Sequence, residues 1–172
     1  MTIKKECWWK LAKIELTKEL AEEILRKWYG RNRSSKFSDW HIFEELGKTY
    51  PTRPPSVLYR GVTTSEKQSN FDFTNDSKIL DLARGKRSWS RAISYARFYA
   101  EGGATPNSAN FLFVWESPNS IILSGDKINQ IAKTKGMTLD VFDSGEYIAE
   151  LPSSAKIVSK KRDKYYTIVT IR

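Results

Sequence analysis

Apolar and polar positions follow two rhythms along this chain. Over residues 8–29, Ile14, Ala21, Ile24, Leu25 and Trp28 fall on one side of a 3.6-residue repeat. Charged residues occupy the other side, and Gly30 stands where such a helix ends. Ser38 is placed to cap a second, short helix, with Trp40, Phe43 and Leu46 turned inward and Gly47 closing it. Residues 31–36 between them form a basic loop. The stiff, proline-rich run 51–55 then leads into Val57, Leu58, Tyr59, Arg60, Gly61 and Val62, whose β-branched and aromatic content predicts a strand.

Residues 63–75 are polar and are expected to loop over the surface. Asn75 caps a helix through Ile79, Leu80 and Leu82 to Gly85, and residues 87–91 read as the end of a strand. Ala92, Ile93, Ala96 and Ala100 give the next helix a small-residue face, stopped by Gly102 and Gly103 and followed by a loop over 104–109. The last third changes rhythm. Strands are expected at 111–115, 121–123, 146–151, 156–160 and 165–171, with a short helix at 126–133 ended at Gly136 and a turn at 143–145. Helices first and strands later predict one α+β domain over 1–172: a helical segment, 1–50, packed on a β-rich core of two packed sheets, 56–172.

Composition narrows the class. Aromatic residues at 13% and hydrophobic residues at 40% describe a chain that can bury a core, so disorder is excluded. No apolar run approaches the ~20 residues of a membrane span. The first residues lead into an amphipathic segment and not into a signal-peptide core. One cysteine, Cys7, and one histidine, His41, leave no cysteine cluster, zinc set or histidine triad, so no metal is expected. A cytoplasmic monomer is the default. The net charge of +9 would draw the chain toward acidic proteins, nucleic acids or phosphorylated ligands.

Three positions stand out against this background. Arg60 shares a strand face with Leu58 and Val62, so its charge sits where water is scarce and asks for an anion; a planar guanidinium suits phosphate or carboxylate. Gly61 after it leaves room for a ligand to approach the backbone. In Ser88-Trp89-Ser90 the hydroxyls share one face. Ser90 is either the N-cap of the helix that follows or a ligand contact, whereas nothing in the local pattern requires Ser88 to be polar. Glu146 opens a late strand directly after a glycine turn.

Tyr-Arg-Gly at 59–61, Ser-Trp-Ser at 88–90 before an alanine-spaced helix, and Glu146 at the head of a strand occur in an order that resembles the mono-ADP-ribosyltransferases of the arginine–serine–glutamate class, which include toxins and phage-type enzymes. The resemblance runs from about Val57 to Arg172 and implies an NAD-binding ADP-ribosyltransferase-like core, with NAD as substrate. It implies that Arg60 holds a phosphate or ribose of NAD, that Ser88 orients the glutamate and the nicotinamide ribose, and that Glu146 favours the oxocarbenium-like transition state. Gly61 would offer backbone contacts to the nicotinamide amide, with Ser90 beside it. A flat aromatic, Phe98, Tyr99 or Phe111, would hold the nicotinamide. Ser144 stands where arginine-directed members carry a second Glu, so the acceptor side departs from theirs. Glu150, on the same strand face as Glu146, is the alternative acid. The resemblance implies transfer of ADP-ribose to a macromolecular acceptor, and the +9 charge makes an acidic one the expectation, a protein before a nucleic-acid complex, in the cytoplasm (the host's, were the chain phage-encoded). The alternatives are an NAD glycohydrolase and a non-enzymatic basic module that binds nucleic acid.

The chemistry suits these residue types. Breaking the nicotinamide–ribose bond leaves positive charge on the sugar, which a fixed carboxylate stabilises most at the transition state. Carboxylates serve glycoside cleavage in the same way. The leaving nicotinamide is already cationic in NAD, so the bond breaks without a metal.

Overall fold

The computed structural model describes residues 14–28, 39–101, 107–138 and 140–172. The expected helix start at residue 8, Gly30, the basic loop at 31–36, the Ser38 cap and the glycine stop at 102–103 lie outside the described residues. Along the chain run α1 (Lys18–Trp28), α2 (Trp40–Thr49), β1 (Val57–Lys67), α3 (Asp76–Asp81), β2 (Gly85–Ser90), α4 (Ile93–Glu101), β3 (Ser108–Glu116), β4 (Ile121–Ser124), α5 (Gly125–Thr134), β5 (Glu146–Leu151), β6 (Ile157–Arg162) and β7 (Thr167–Ile171). Helices are thus interspersed among the strands and not gathered ahead of them. The seven strands form one sheet, ordered β4-β5-β2-β1-β3-β7-β6, where two packed sheets were expected.

The reason for that difference lies between β1 and β2. β1 runs beside β3 through seven consecutive pairs, Val57 with Glu116 to Thr63 with Asn110. β2 is paired with β5 over its full length. β1 and β2 themselves meet in register at a single pair, Tyr59 with Ser90. One sheet therefore consists of two well-paired halves joined by a narrow seam.

Strand alternation sorts the side chains across this sheet. Leu58, Trp89, Phe111, Phe113, Trp115, Tyr147, Ala149, Val169 and Ile171 meet on one face, where α3 closes the core with Ile79 and Leu80. Trp89 of β2 lies against Trp115 of β3 with ring centroids 5.2 Å apart, so this core spans the seam. Burial of each such ring contributes on the order of 2–3 kcal/mol. The opposite face has two separate covers. Ala96 and Ala100 of α4 pack with Leu112 and Tyr166 over the β1–β3 half. Ile24 and Trp28 of α1, Phe43 and Leu46 of α2, and Ile128 and Ala132 of α5 pack with Leu123 and Ile148 over the β4–β5 half. Between these covers the seam is left accessible.

Two boundaries differ from the sequence reading. Residues 63–67, expected to be a loop, extend β1. Their outward side is solvated, but Thr64 donates from its hydroxyl to the Ala109 carbonyl at 2.7 Å and Glu66 pairs with Lys78 at 2.8 Å, so polar anchors replace an apolar face. β3 likewise begins at Ser108, inside the loop expected over 104–109, because Lys67 pairs with Ser108 across a register shift. Among the described residues no helix is long and apolar enough to cross a membrane.

Candidate active site

Ser90 faces Glu146 in the β2–β5 register, and Ser88 faces Ile148. Directly opposed residues project to one side, so Ser88, Ser90 and Glu146 share the outer face at the seam, and Tyr59, opposite Ser90, joins them. Trp28 stands over this face from α1; Tyr95 and Tyr99 stand over it from α4. Together they enclose a cavity of about 230 Å³, to which Arg60 and Gly61 also contribute wall.

Glu146 is held at several points. It is 6% exposed. Its Oε1 accepts from the Ser88 hydroxyl at 2.6 Å and from the Trp28 indole N–H at 3.3 Å, while Oε2 accepts from the Asp143 main-chain N–H at 3.2 Å. The turn before it is built to aim it. Gly145 adopts φ +72°, a left-handed conformation that suits glycine. Its N–H donates to Asp126 Oδ1 at 2.9 Å and its carbonyl accepts from the Arg91 N–H at 2.9 Å. A carboxylate fixed in this way has few rotamers to lose when a substrate arrives.

Arg60 reaches the cavity by another route. Alternation puts it on the core face with Leu58, opposite Phe113, yet its Nη1 donates to the main-chain carbonyl of Ser88 at 2.6 Å, and Arg60 is among the residues that line the cavity. The guanidinium therefore reaches the β2 main chain at the seam, where β1 and β2 share only one pair. Burial, and then the nearby Arg87 charge, pull its pKa down to about 10. Among the described residues no carboxylate pairs with it, and its Nε lacks a hydrogen-bond partner. This is a desolvated cation with donors to spare.

Tyr95 completes the far wall. Its hydroxyl donates to Asp143 Oδ2 at 2.6 Å and lies 3.3 Å from the Tyr99 hydroxyl, and the two rings meet edge to face. Burial first, then the bonds to Asp143 and Tyr99, push the Tyr95 hydroxyl well above the usual phenol range, so it keeps its proton at neutral pH.

The structure thus brings Arg60, Ser88, Ser90, Gly61 and Glu146 to one cavity. Ser90 also receives the Ala92 N–H on its hydroxyl at 3.0 Å, so it serves the start of α4 as well as the wall. The space beside Gly61 is not left for a ligand: a Cβ there would lie 2.0 Å from the Ala96 carbonyl oxygen and 2.6 Å from the Ala100 nitrogen. The glycine is needed for α4 to pack on β1, and only its backbone borders the cavity. Phe98 is 70% exposed and lies outside the lining, Phe111 is buried in the core, and Tyr99 alone of the three expected aromatics lines the cavity. Ser144 and Glu150 are exposed and border no part of it. Sequence reasoning missed Tyr95 and Trp28. Tyr95 was recoverable, one helical turn before Tyr99 on the same face. Trp28 was assigned to the core by its spacing, and no sequence signal shows its N–H aimed at Glu146. Among the described residues no group of three or more His, Cys, Asp or Glu side chains is placed to hold a metal ion.

No protein-family model and no curated protein sequence matches the chain. Among solved structures it is similar to the ADP-ribosyltransferase Vis in complex with agmatine, at TM-score 0.48 and 14% identity, covering 95% of this chain and 78% of that one. It is also similar to the Vis complex with the M6 inhibitor, at TM-score 0.43 and 12% identity, covering 88% of this chain but only 65% of the other. The Vis toxin of Vibrio splendidus gives TM-score 0.46 at 12% identity, over 90% of this chain and 72% of that one. At this level of similarity, function has to come from the site's own geometry.

Proposed function

We propose that this protein is an NAD-dependent mono-ADP-ribosyltransferase, with Glu146 and Ser88 acting at the nicotinamide ribose and Arg60 holding the pyrophosphate. One observation carries the reading: Arg60, buried and without an acidic partner among the described residues, borders one cavity with a carboxylate pinned by a serine hydroxyl. The first needs an anion, and the second suits a sugar that becomes cationic. NAD offers both within one molecule.

The cavity is smaller than the ~300–1,000 Å³ of a site that encloses a whole small molecule, so it takes the nicotinamide riboside end and leaves the adenylate along the surface. Tyr59, Tyr99 and Trp28 offer flat or edge-on aromatic surface for the nicotinamide. As the C1′–nitrogen bond lengthens, electrons leave with nicotinamide and positive charge grows on the ribose. Glu146 stabilises that charge without having to reorient, since Ser88, Trp28 and the Asp143 N–H already hold it. A nucleophile on the acceptor then bonds to C1′ and gives up its proton.

The acceptor is a macromolecule with acidic character, a protein in preference to a nucleic acid, met by the +9 net charge. No acid stands at position 144 to steer a guanidinium, and Asp143 is engaged by Tyr95. Small guanidines such as agmatine are therefore expected to be poor acceptors, and efficient labelling of agmatine would overturn that part of the reading. The whole reading is tested by incubating the protein with adenylate-labelled NAD and a cell lysate, measuring nicotinamide release and label on macromolecules. Release with label only on free ADP-ribose would make it a glycohydrolase. No release, with lysate present, would remove the NAD chemistry altogether.

A further inference from the structure

A second groove lies at the other end of the sheet. β6 is the outermost strand, paired with β7 alone. Residues 156–164, which include it, hold Lys156, Lys160, Lys161, Arg162 and Lys164 against the single acid Asp163, and so supply four of the nine units of net charge. Beside it is a cavity of about 390 Å³ lined by Gln68, Phe73, Lys160, Arg162 and Thr167.

The cations here are organised around aromatic rings. The Arg162 guanidinium carbon lies 5.6 Å over the Phe73 ring, and its Nη1 donates to the Thr167 hydroxyl at 3.0 Å. Lys160 Nζ donates to the Phe73 carbonyl at 2.9 Å and pairs with Asp76 at 2.6 Å, which ties the β6 edge to the segment carrying Phe73. Next to this, Tyr165 is 54% exposed, with Lys164 Nζ 4.9 Å over its ring. Lysines on an edge strand guard against unwanted pairing. That purpose does not require an arginine laid on a ring, nor an exposed tyrosine beside it.

We propose that this groove docks single-stranded nucleic acid. Phosphates would meet Lys164 and the remaining Arg162 donors, while base planes would stack on the Arg162–Phe73 pair and on Tyr165. An acidic protein would engage the charge but leave the ring platforms without a role, so the observations favour a polynucleotide. β6 lies three strands from β1, about 14 Å in the plane of the sheet, so a bound strand leaves the cavity at the seam open. The groove opens on the opposite face of the sheet from that cavity, and a purpose in holding an acceptor complex rests on the transferase reading; the binding itself does not.

The test is fluorescence anisotropy of short labelled oligouridylate and oligothymidylate over a salt series, with circular dichroism to confirm that each variant is folded. The Arg162→Gln/Lys164→Gln double variant should lose about tenfold or more in affinity and about two from the slope of log K against log salt. Arg162→Lys should lose several-fold at an unchanged slope, because the charge stays and the stacking plane goes. Preference between the two oligonucleotides identifies the source as RNA or DNA. Nicotinamide release from NAD should be the same in all variants. If the wild type releases none yet binds oligonucleotide in this pattern, the transferase reading falls and the groove stands. The groove proposal is overturned by wild type that does not bind at low salt or by binding that survives the double variant. Polyglutamate binding as tight as the oligonucleotides', insensitive to Arg162→Lys, would overturn it too, by pointing to an acidic protein.

Discussion

Replacing Arg60 with methionine separates a binding arginine from a structural one. The charge is desolvated, no acid among the described residues offsets it, and its pKa is depressed from the ordinary guanidinium range to about 10. That depression corresponds to about 3 kcal/mol of unfavourable charge burial. Arg60→Met removes it while keeping a long, flexible side chain. Against this gain stands the lost bond to the Ser88 carbonyl, worth about 1.5–3 kcal/mol for a charged donor. The two nearly cancel, so unfolding in urea should place the variant within about 1–2 kcal/mol of wild type. NAD binding behaves differently: truncating one partner of a buried charge pair costs about 2 kcal/mol or more, so calorimetry should show Kd rising at least ~30-fold. The pH dependence has a definite sign. The folded state releases this proton before the unfolded chain does, so the penalty is fully present below pH about 10 and is relieved as pH rises beyond it. Wild-type stability relative to Arg60→Met should therefore be flat below pH 10 and climb above it. A loss of more than about 3 kcal/mol in the variant, or unchanged NAD affinity, would show that Arg60 serves the fold and not the ligand.

Glu146→Gln should lower nicotinamide release by about 10²-fold or more with NAD affinity largely kept, while Glu150→Gln, exposed and outside the cavity, should leave both unchanged; the reverse pattern would mean that the reacting carboxylate is misassigned. Trp28→Phe removes the indole N–H from Glu146 Oε1 but keeps an aromatic ring in the core, so kcat should fall several-fold at little change in KM, and an unchanged kcat would make Trp28 a packing residue only. Gly61→Ala sets a methyl 2.0 Å from the Ala96 carbonyl oxygen, main chain against side chain, so α4 must shift and the melting curve should show a loss of about 2 kcal/mol or more.

Much of the fold was legible because local pattern and tertiary contact agree. The spacing of Ala21, Ile24 and Trp28 predicted a buried stripe, and α1 buries those residues. Asn75 was expected to cap α3, and its side chain accepts the Lys78 N–H at 2.9 Å. The failures share one cause. Residues 63–67 carry no apolar face, so their strand is held by Thr64 and Glu66 through partners 45 and 12 residues away. Nothing within a window of ten residues signals such a strand. The expectation of two packed sheets failed for a related reason: the Tyr59–Ser90 pair that joins the halves is one long-range contact, invisible to any periodicity.

The seam explains why the candidate site was more legible than the topology around it. Arg60 was singled out because its strand face is apolar, and from that face it reaches the Ser88 carbonyl at the seam. A fully paired β1–β2 ladder would engage the Ser88 carbonyl and leave the guanidinium in the core beside Leu58 and Phe113. Narrow pairing therefore lets a core-face arginine and outer-face Ser88 and Glu146 address one cavity. The same geometry sets what sequence could not supply. α1 and α4 cover different halves of the sheet, and only where they flank the seam do Trp28 and Tyr95 become walls of the site. Alternation within a strand names the residues whose chemistry is out of place; the joining of the two halves decides which of them meet.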